Sequence, residues 1–283
     1  MIIDGKKIAE EILLRVKTET ASLPNRPVFC DVLVGEDAVS RSYVNIKGRK
    51  AAEVGMDFLP VFLPAGTSQK ELEEKITELN STPNLCGLII QLPLPPGLQE
   101  KPVLNAVLPE NDVDCMGAEN QSLFYAGKPR FLLPTAAAIM EIFKILNIEK
   151  NKAVVVIGQG ELVGRPVAFL LRQQGHQVST ADRKVLDLKA LCLSADVIIS
   201  AVGSPNLVRG DMVKPGAVVI DAGTSESGGG IVGDVETESV GKVAGFLTPV
   251  PGGVGPVTVA MLLSNVLLSA KQKNQNRNGK NYN

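Results

Sequence analysis

The stretch KAVVVIGQGELVGRPVAFLLRQQGHQVSTAD, residues 152–182, decides the fold of this 283-residue chain. It has the pattern of an apolar strand, a glycine-rich turn, an amphipathic helix and a second strand. Gly158, Gly160 and Gly164 lie between the first strand and the helix, where backbone amides and the helix dipole can face a pyrophosphate. Their spacing is G-x-G-x-x-x-G rather than G-x-G-x-x-G, so a tight turn that binds no nucleotide is the alternative.

The second strand of this stretch ends at two side chains of opposite charge. Asp182 can accept a hydrogen bond from a ribose hydroxyl, which favours NAD. Arg183 can pair with the additional phosphate of NADP. Both residues are also compatible with a solvated strand end, so the choice of cofactor stays open at this point.

The same alternation of strands and helices extends over most of the chain. The segments GKKIAEEILLRVKTE and SQKELEEKITELN have helical spacing, and Ser68 with Glu71 forms a capping-box pattern. The segments PVFCDVLVG, DFLPVFLP, CGLIIQLPLP, ADVIISAVG and AVVIDAG are predicted strands. Around residues 110–135 the alternation gives way to a polar passage, which we interpret as the link between two domains. The pattern predicts an α/β fold with parallel sheets.

Composition and charge narrow the class of protein. The chain has 45% hydrophobic residues, 21% charged residues and a formal net charge of −1, which suits two ordinary cores. Because it lacks a broad electrostatic attraction, we expect a small, partly charged ligand and neither nucleic acid nor membrane as a partner. Asp4, Lys6 and Lys7 interrupt any early apolar run, so we expect a cytoplasmic protein.

Three other features carry structural expectations. The apolar segment 257–270 is shorter than the ~20 residues of a membrane-spanning helix and is predicted to be a packed helix. The four cysteines and the single histidine, His176, have no metal-ligand spacing, so we expect buried, reduced thiols and no metal site. Residues 273–283 have almost no apolar side chains and are expected to form a flexible, solvated tail.

The helix around residues 42–56 places polar groups on one face. Ser40, Tyr43 and Lys47 are spaced i, i+3 and i+7, while Val44 and Ala51 lie closer to another face. A surface tyrosine beside a solvated lysine is the plain alternative, since exposed lysines are common. Other segments are needed to decide whether the side chains of this face take part in catalysis.

Five motifs occur in order along the chain: SYVNIK (42–47), QLPLP (91–95), DVD (112–114), GQGELVGRP (158–166) and TPVPGGVGPVT (248–258). In this order they resemble the bifunctional methylenetetrahydrofolate dehydrogenase/methenyltetrahydrofolate cyclohydrolases, over nearly the whole chain. The last motif is the most specific, because three prolines and three glycines in eleven residues are unusual.

The resemblance implies two α/β domains. A folate-binding catalytic domain would span 1–118, completed by a C-terminal helix at 255–272 that returns to it, and a Rossmann NAD(P)-binding domain would span 119–254. It implies NADP as cofactor, with NAD possible, tetrahydrofolate derivatives as substrates, and a homodimer formed through the Rossmann domain. The implied activity oxidises 5,10-methylenetetrahydrofolate to the methenyl form and hydrolyses that to 10-formyltetrahydrofolate, within one-carbon metabolism and purine biosynthesis.

The matching motifs also imply roles for individual residues of this chain. The resemblance implies that Lys47 is the principal catalytic lysine, with Tyr43, Gln91 and Asp114 as its catalytic partners. The implied substrate-binding residues are Ser40, Tyr43, Asp114, Pro251, Gly252 and Gly253. The implied cofactor-binding residues are Gly158, Gln159, Gly160, Val163, Gly164, Asp182, Arg183 and Thr224.

The chemistry is compatible with these residue types. Hydride loss from a methylene group between two nitrogens leaves a cation that their lone pairs stabilise, so a catalytic histidine is dispensable. Ring opening by water benefits from proton transfer, for which Lys47 is the candidate. Gln91 can hold the amine without adding charge, and Asp114 can accept from pterin N–H groups, although a turn-forming aspartate is the alternative. In the 248–258 loop, glycines permit close backbone approach to a flat ligand and prolines restrict the loop.

Several positions depart from the family pattern. Cys115 stands where glycine is usual, Ala136 and Ala138 where proline and glycine are usual, Gly160 where serine is common, and Ser225 where asparagine is common. We therefore expect cyclohydrolase activity to be retained, with dehydrogenase rate or cofactor choice altered. Two other interpretations remain: a different two-domain dehydrogenase acting on a hydroxy or amino acid, and a catalytically silent binding protein.

Overall fold

The structure is a computed structural model that describes residues 1–227 and 230–280. The chain divides into two compact units. Unit 1 contains Met1–Glu10 and Pro134–Met261, and unit 2 contains Glu11–Leu133 and the described residues from Leu262 onward. Each unit is an α/β structure with its own parallel sheet.

Unit 2 is built on three parallel strands in the order β2-β1-β3. The strands are β1 (Val28–Val34), β2 (Asp57–Leu63) and β3 (Leu85–Ile90). The helices of the N-terminal half are α1 (Gly5–Thr20), α2 (Ala38–Glu53), α3 (Gln69–Leu79), α4 (Glu100–Asn105) and α5 (Ala118–Tyr125). The predicted strands and the capping box at Ser68 and Glu71 are confirmed.

The central strand β1 separates two packed faces because successive side chains alternate. Cys30, Val32 and Val34 belong to an apolar cluster with α3. On the other face, the ring of Phe29 packs against Phe58 with centroids 5.5 Å apart. Strand β1 is therefore buried on both faces, and any side chain that it directs to either face is removed from water.

Helix α2 begins and ends as its sequence predicts. The Asp37 side chain caps it by accepting from the Ser40 amide at 2.6 Å. Gly55, with φ +83°, follows its last turn. Within the helix, a Cβ at Gly48 would lie 2.4 Å from the Phe58 ring, so a glycine is required for α2 to approach β2 this closely.

The polar passage 110–135 is ordered and partly buried. It contains α5, and Asn111, Val113 and Phe124 are almost inaccessible. The division between the units falls at its end, between Leu133 and Pro134. The passage is therefore a packed part of unit 2 up to that point, because its apolar side chains and buried amides have partners there.

Unit 1 contains a five-stranded parallel sheet in the order β10-β7-β6-β4-β5. Its strands are β4 (Ala153–Ile157), β5 (Gln177–Ala181), β6 (Val197–Ser200), β7 (Val218–Asp221) and β10 (Phe246–Leu247), and β8 (Ser225–Ser227) pairs with β9 (Gly230–Val232) as a separate antiparallel ribbon. Its helices are α6 (Pro134–Ile145), α7 (Gly164–Gln173), α8 (Leu188–Leu193), a 3-10 turn (Gly210–Met212) and α9 (Thr237–Gly241). The predicted Rossmann-type α/β architecture is confirmed.

The first residues of the chain belong to this second sheet. The Ile3 amide donates to the Leu247 carbonyl at 2.8 Å, and Ile2 forms a bridge with Leu247. This short pairing with β10 explains why residues 1–10 are part of unit 1 rather than of unit 2.

The last helix, α10 (Val254–Lys280), is longer than the sequence indicated. Asn265 Nδ2 donates to the carbonyls of Val113 and Leu132, both at 2.8 Å, and Ser269 Oγ donates to the Glu110 carbonyl at 2.8 Å. The expected return of this helix to the N-terminal half of the chain is confirmed.

The length of α10 changes two expectations. In the described part of the chain, Val254–Asn276 is the one helix long and apolar enough to cross a membrane, by length and composition alone. Buried core helices pass the same test, and 61% of its most apolar window is buried. Residues 273–280 of the expected tail are helical, and residues 281–283 lie outside the described residues.

All four cysteines are buried thiols outside any disulfide, as expected. Burial raises the pKa of Cys30 and of Cys115 to about 12, and that of Cys192 to about 11. Because the thiolate is the nucleophilic form, these side chains are inert at neutral pH.

Candidate active site

A buried lysine is the centre of the polar site in unit 2. Lys47 projects from α2 and is 7% exposed. Its Nζ donates to Gln91 Oε1 at 2.8 Å, at the end of β3. Lys47 and Gln91 are 44 residues apart in sequence, and the parallel sheet brings them together. The alternative of a solvated surface lysine is wrong.

The sequence interpretation did not identify Asp31, which is the charged partner of Lys47. Asp31, in β1, is fully buried, and its Oδ2 lies 2.7 Å from Lys47 Nζ. Desolvation raises the pKa of Asp31, while the neighbouring Lys47 opposes that rise. The available signal was a charged residue within the apolar run VFCDVLV, because an aspartate is almost never fully buried without a partner.

The other predicted residues of α2 lie close to Lys47 in sequence. Tyr43 is one turn before it, half-buried, and desolvation raises the pKa of its phenol. Ser40 is buried, and its amide donates to the N-cap Asp37. The backbone of Ser40 thus takes part in capping α2, and its position in the helix places its side chain on the face of Tyr43 and Lys47.

The two aspartates of the DVD motif have different environments. Asp112 accepts from the amides of Met116 and Gly117 at 3.0 and 2.9 Å, and from Asn120 Nδ2 at 3.0 Å. Asp112 is therefore the turn-forming aspartate. Asp114 interacts electrostatically with Lys47, Asp112 and Asp31, and desolvation raises its pKa to about 6.

The glycine-rich turn of unit 1 has two structural glycines and one open position. Gly158 has φ +94°, and a Cβ there would lie 2.3 Å from the Ala201 carbonyl oxygen. A Cβ at Gly164 would lie 1.9 Å from the Gly158 carbonyl oxygen. Gly160 has nothing within 4 Å of its ideal Cβ. The turn therefore leaves free space at Gly160, in front of the N-terminus of α7.

The remaining residues predicted for the cofactor lie around the ends of the strands. Gln159 donates to the Gly158 carbonyl at 2.6 Å, which holds its side chain against the turn. Val163 is the N-cap residue of α7. Asp182 Oδ1 accepts from the Lys184 amide at 2.8 Å, so this carboxylate organises a local turn. Arg183 is exposed and forms no ion pair with the described residues.

Two buried aspartates that the sequence interpretation missed organise the loops after β6 and β7. Asp234 accepts from the amides of Val202 and Ser204, both at 2.7 Å, and from Ser200 Oγ at 2.8 Å. Asp221 accepts from the amides of Gly223, Asp234 and Val235, and desolvation raises its pKa to about 6. Exposed Thr224 and half-buried Ser225 follow in the loop that these carboxylates hold.

The proline- and glycine-rich loop has an internal packing role. Gly252 has φ +105°, and its carbonyl accepts from the Gly5 amide at 3.0 Å. A Cβ at Gly253 would lie 2.5 Å from the Pro249 carbonyl oxygen. The glycines next to Pro251 thus permit backbone-to-backbone contact within unit 1. The alanines that depart from the family pattern, Ala136 and Ala138, are fully buried in a regular α6.

These features define a class of protein. A parallel sheet with a glycine turn at a helix N-terminus is a dinucleotide-binding architecture, and a buried lysine amine such as that of unit 2 is a group that can transfer protons. The chain has the design of a two-domain α/β enzyme that uses a nicotinamide cofactor.

The chain belongs to the tetrahydrofolate dehydrogenase/cyclohydrolase family. Residues 3–114 match the catalytic domain of that family, and residues 134–274 match its NAD(P)-binding domain. The resemblance inferred from the five motifs is confirmed.

The matches to relatives extend over almost the whole of this chain and of each relative. The chain is 42% identical over 275 residues to the bifunctional protein FolD of Exiguobacterium sibiricum, covering 96% of this chain and 99% of the relative. The structure of FolD from Campylobacter jejuni has a TM-score of 0.91 at 36% identity, covering 96% and 99%. The Trypanosoma brucei enzyme, solved with NADP and an inhibitor, has a TM-score of 0.92 at 35% identity, covering 96% and 98%.

Proposed function

We propose that this chain catalyses the NADP-dependent oxidation of 5,10-methylenetetrahydrofolate and the hydrolysis of the methenyl product to 10-formyltetrahydrofolate. The observation that carries the proposal is the buried Lys47 amine, held by Gln91 and Asp31 in a chain of this family. A lysine is removed from water in this way only at considerable energetic cost, which a role in proton transfer explains.

The residues of unit 2 take distinct roles in this proposal. Lys47 transfers protons during water addition and ring opening. Gln91 orients the amine, and Tyr43 offers a ring and a hydroxyl to the folate. Asp114 binds the pterin N–H groups, and its pKa of about 6 leaves it mainly ionised at neutral pH. Ser40, Pro251, Gly252 and Gly253 are proposed as further substrate contacts.

The two domains take complementary roles in this proposal, with the bounds that the motifs imply rather than those of units 1 and 2. The N-terminal domain of residues 1–118, with the helix segment 255–272, binds folate, and residues 119–254 bind the cofactor. NADP supplies the hydride acceptor when it is bound. The open space at Gly160 and the unpaired Arg183 fit a pyrophosphate and a 2′-phosphate respectively. Gly158, Gln159, Val163, Gly164, Asp182 and Thr224 complete the proposed cofactor site.

The setting of the enzyme is part of the same proposal. We expect it to act in the cytoplasm, in one-carbon metabolism that supplies purine biosynthesis, and to be a homodimer formed through the Rossmann domain. Sedimentation velocity at micromolar concentration tests the assembly, for which a single species near 30 kDa would contradict the dimer.

Two assays on one preparation test the activity. NADPH formation from methylenetetrahydrofolate reports the oxidation, and loss of methenyltetrahydrofolate absorbance reports the hydrolysis. Both activities are expected, and NADP is expected to support a lower KM than NAD. Robust oxidation without ring opening would contradict the proposed role of Lys47.

Variants of Lys47 separate an enzyme from a silent binding protein. Lys47→Ala and Lys47→Gln are expected to lower the cyclohydrolase kcat by about 10²–10⁴-fold, which is the usual contribution of a positioned proton-transfer group. Lys50→Gln, which removes a half-buried lysine of the same helix that pairs with Glu53, serves as the matched control and is expected to retain wild-type turnover. Unchanged hydrolysis in both Lys47 variants would remove this residue from the chemistry.

A further inference from the structure

Asp31 is a buried carboxylate at a position in the sheet where an apolar side chain would avoid the cost of desolvating a charge. It lies in the central strand β1, is fully buried, and has apolar residues directly before and after it in the strand. Its Oδ2 pairs with Lys47 Nζ at 2.7 Å, and its Oδ1 has no hydrogen-bond partner among the described residues. A carboxylate with one unused oxygen is a poor stabilising element, because desolvation offsets much of the attraction.

The groups around the amine form a small charged cluster. Asp31 approaches Lys47 from β1 and Gln91 from the end of β3, while Tyr43 lies one turn before Lys47 in α2. Asp114 interacts with Lys47 through space, and Asp112 adds a further negative charge beside Asp114. Asp31 is the only carboxylate in direct contact with the amine among the described residues, so it has the strongest influence on the proton that Lys47 carries.

We propose that Asp31 is a positioning residue that holds the Lys47 side chain at Gln91 and takes up its proton when the neutral amine is required for hydrolysis. This inference rests on the proposed cyclohydrolase function and extends it to a residue of β1. The arrangement resembles other catalytic pairs in which a buried acid orients a base through one hydrogen bond.

In this proposal a proton first moves from Lys47 Nζ to Asp31 Oδ2, leaving an amine and a carboxylic acid. Water adds to the cationic methenyl carbon: the oxygen–carbon bond forms, an O–H bond of water breaks, and its proton goes to Lys47 Nζ. The π electrons of the carbon–nitrogen double bond return to nitrogen. Lys47 then protonates the departing ring nitrogen, the bond between that nitrogen and the carbinol carbon breaks, and the carbinol proton is lost to solvent as the formyl group forms. Asp31 Oδ2 finally returns its proton to Lys47 Nζ, which restores the ion pair.

The pH dependence of hydrolysis tests the proposal. A carboxylate in contact stabilises the ammonium form, so its removal makes the amine available at lower pH. In Asp31→Asn, the rising limb of the cyclohydrolase kcat against pH is expected to move by about one to three pH units toward lower pH, the usual effect of one close opposite charge. Asp57→Asn, the same chemical change at an exposed site of unit 2, is expected to leave the limb in place.

A second variant tests the positioning role independently. Asp31→Glu keeps the charge and displaces it by one methylene group, so the limb is expected to stay near its wild-type pH. Its kcat is expected to fall by about 10- to 100-fold, as for other small misplacements of a catalytic group. The folate KM is expected to change by less than about threefold, because binding contacts are retained.

The outcomes distinguish this inference from the proposed function. A wild-type protein with neither activity contradicts the function itself. An active wild-type protein whose rising limb does not move in Asp31→Asn contradicts the influence of Asp31 on the Lys47 proton, and a limb that moves only in Asp114→Asn assigns that influence to Asp114. A plateau kcat of Asp31→Asn equal to that of the wild type contradicts the proton-acceptor role. Wild-type kcat in Asp31→Glu contradicts the positioning role.

Discussion

Cys115 and Asp114 illustrate how single residues carry the constraints of the site. Cys115 has φ +60° and is fully buried, at the position where glycine is usual in the family. The backbone conformation there is the left-handed one, which glycine adopts without the cost of about 1–2 kcal/mol that other residues incur. The departure from the family pattern is therefore explained locally: the turn keeps its shape, and the buried thiol fills the space.

The raised pKa of Asp114 gives a prediction at the same scale. Its carboxyl titrates near pH 6 in the folded chain and near its ordinary value of 3.8 when unfolded. Between these two values the folded state binds more protons, so its contribution to stability falls as pH rises. Relative to Asp114→Asn, the free energy of unfolding of the wild type is expected to fall by at most about 3 kcal/mol between pH 4 and 7.

Urea unfolding of both proteins across this pH range measures that difference. Asp211→Asn is the comparison at an exposed carboxylate, whose pKa is lowered by Lys189. A constant difference between wild type and Asp114→Asn at every pH would mean that Asp114 is not desolvated.

At the scale of elements, the turn between β4 and α7 separates structural from functional glycines. Gly158 is required because of its positive φ and the nearby Ala201 carbonyl, and Gly164 because the Gly158 carbonyl nearly touches the helix start. Gly160 has no such neighbour, so the absence of the common serine does not change the backbone. Asp234 similarly connects elements, because its carboxylate collects amides from the loop that follows β6.

A matched pair of alanine variants tests this assignment of the glycines. Gly164→Ala is expected to destabilise the protein by several kcal/mol, roughly the range of severe steric clashes, because the new Cβ would lie 1.9 Å from a carbonyl oxygen. Gly160→Ala is expected to change stability by less than about 0.5 kcal/mol. Thermal unfolding of both variants decides the question, and equal effects would contradict it.

Asp234 gives a second prediction at this scale. In Asp234→Asn, the side chain keeps one acceptor oxygen for three donors, so we expect a loss of about 1–3 kcal/mol in the free energy of unfolding. Because the loop after β6 loses its anchor, the KM for NADP is expected to rise, while hydrolysis of methenyltetrahydrofolate, which needs no cofactor, is retained. An unchanged KM in a destabilised variant would restrict Asp234 to a structural role.

At the scale of the whole molecule, α10 determines the organisation of the chain. The helix begins in unit 1, and its later residues belong to unit 2. Asn265 satisfies two backbone carbonyls of unit 2, and Val266 fills the space that Gly87 leaves open. The C-terminal segment is therefore a structural component of unit 2, which also contains most of the N-terminal half.

Replacing Asn265 tests this role. Asn265→Leu is expected to reduce the free energy of unfolding by about 2–4 kcal/mol, because two buried carbonyls each lose a partner at about 1–3 kcal/mol. Thr258→Val is the control in the same helix, since Thr258 Oγ1 bonds only to the Val254 carbonyl one turn earlier, and its effect is expected to stay below about 1 kcal/mol. Equal losses in both variants, measured by urea unfolding, would contradict the anchoring role.

The sequence by itself determined strands β1 to β7, helices α1, α2, α3 and α7, the glycine turn, the capping box and the family. These features depend on the period of apolar residues and on turn chemistry, which neighbours along the chain specify. The pairing of Lys47 with Gln91 was also predictable, because the motifs that carry them mark one family.

The tertiary structure alone decided which charges meet. Asp31 appears in the sequence as an isolated charge in an apolar strand, and nothing within its own segment indicates Lys47 as its partner. The same applies to Asp234, to the pairing of Ile2 with Leu247 and to the length of α10. These contacts join residues that are distant in sequence, and they form only when the parallel strands and their helices pack. The burial that strengthens each contact is therefore a property of the folded chain.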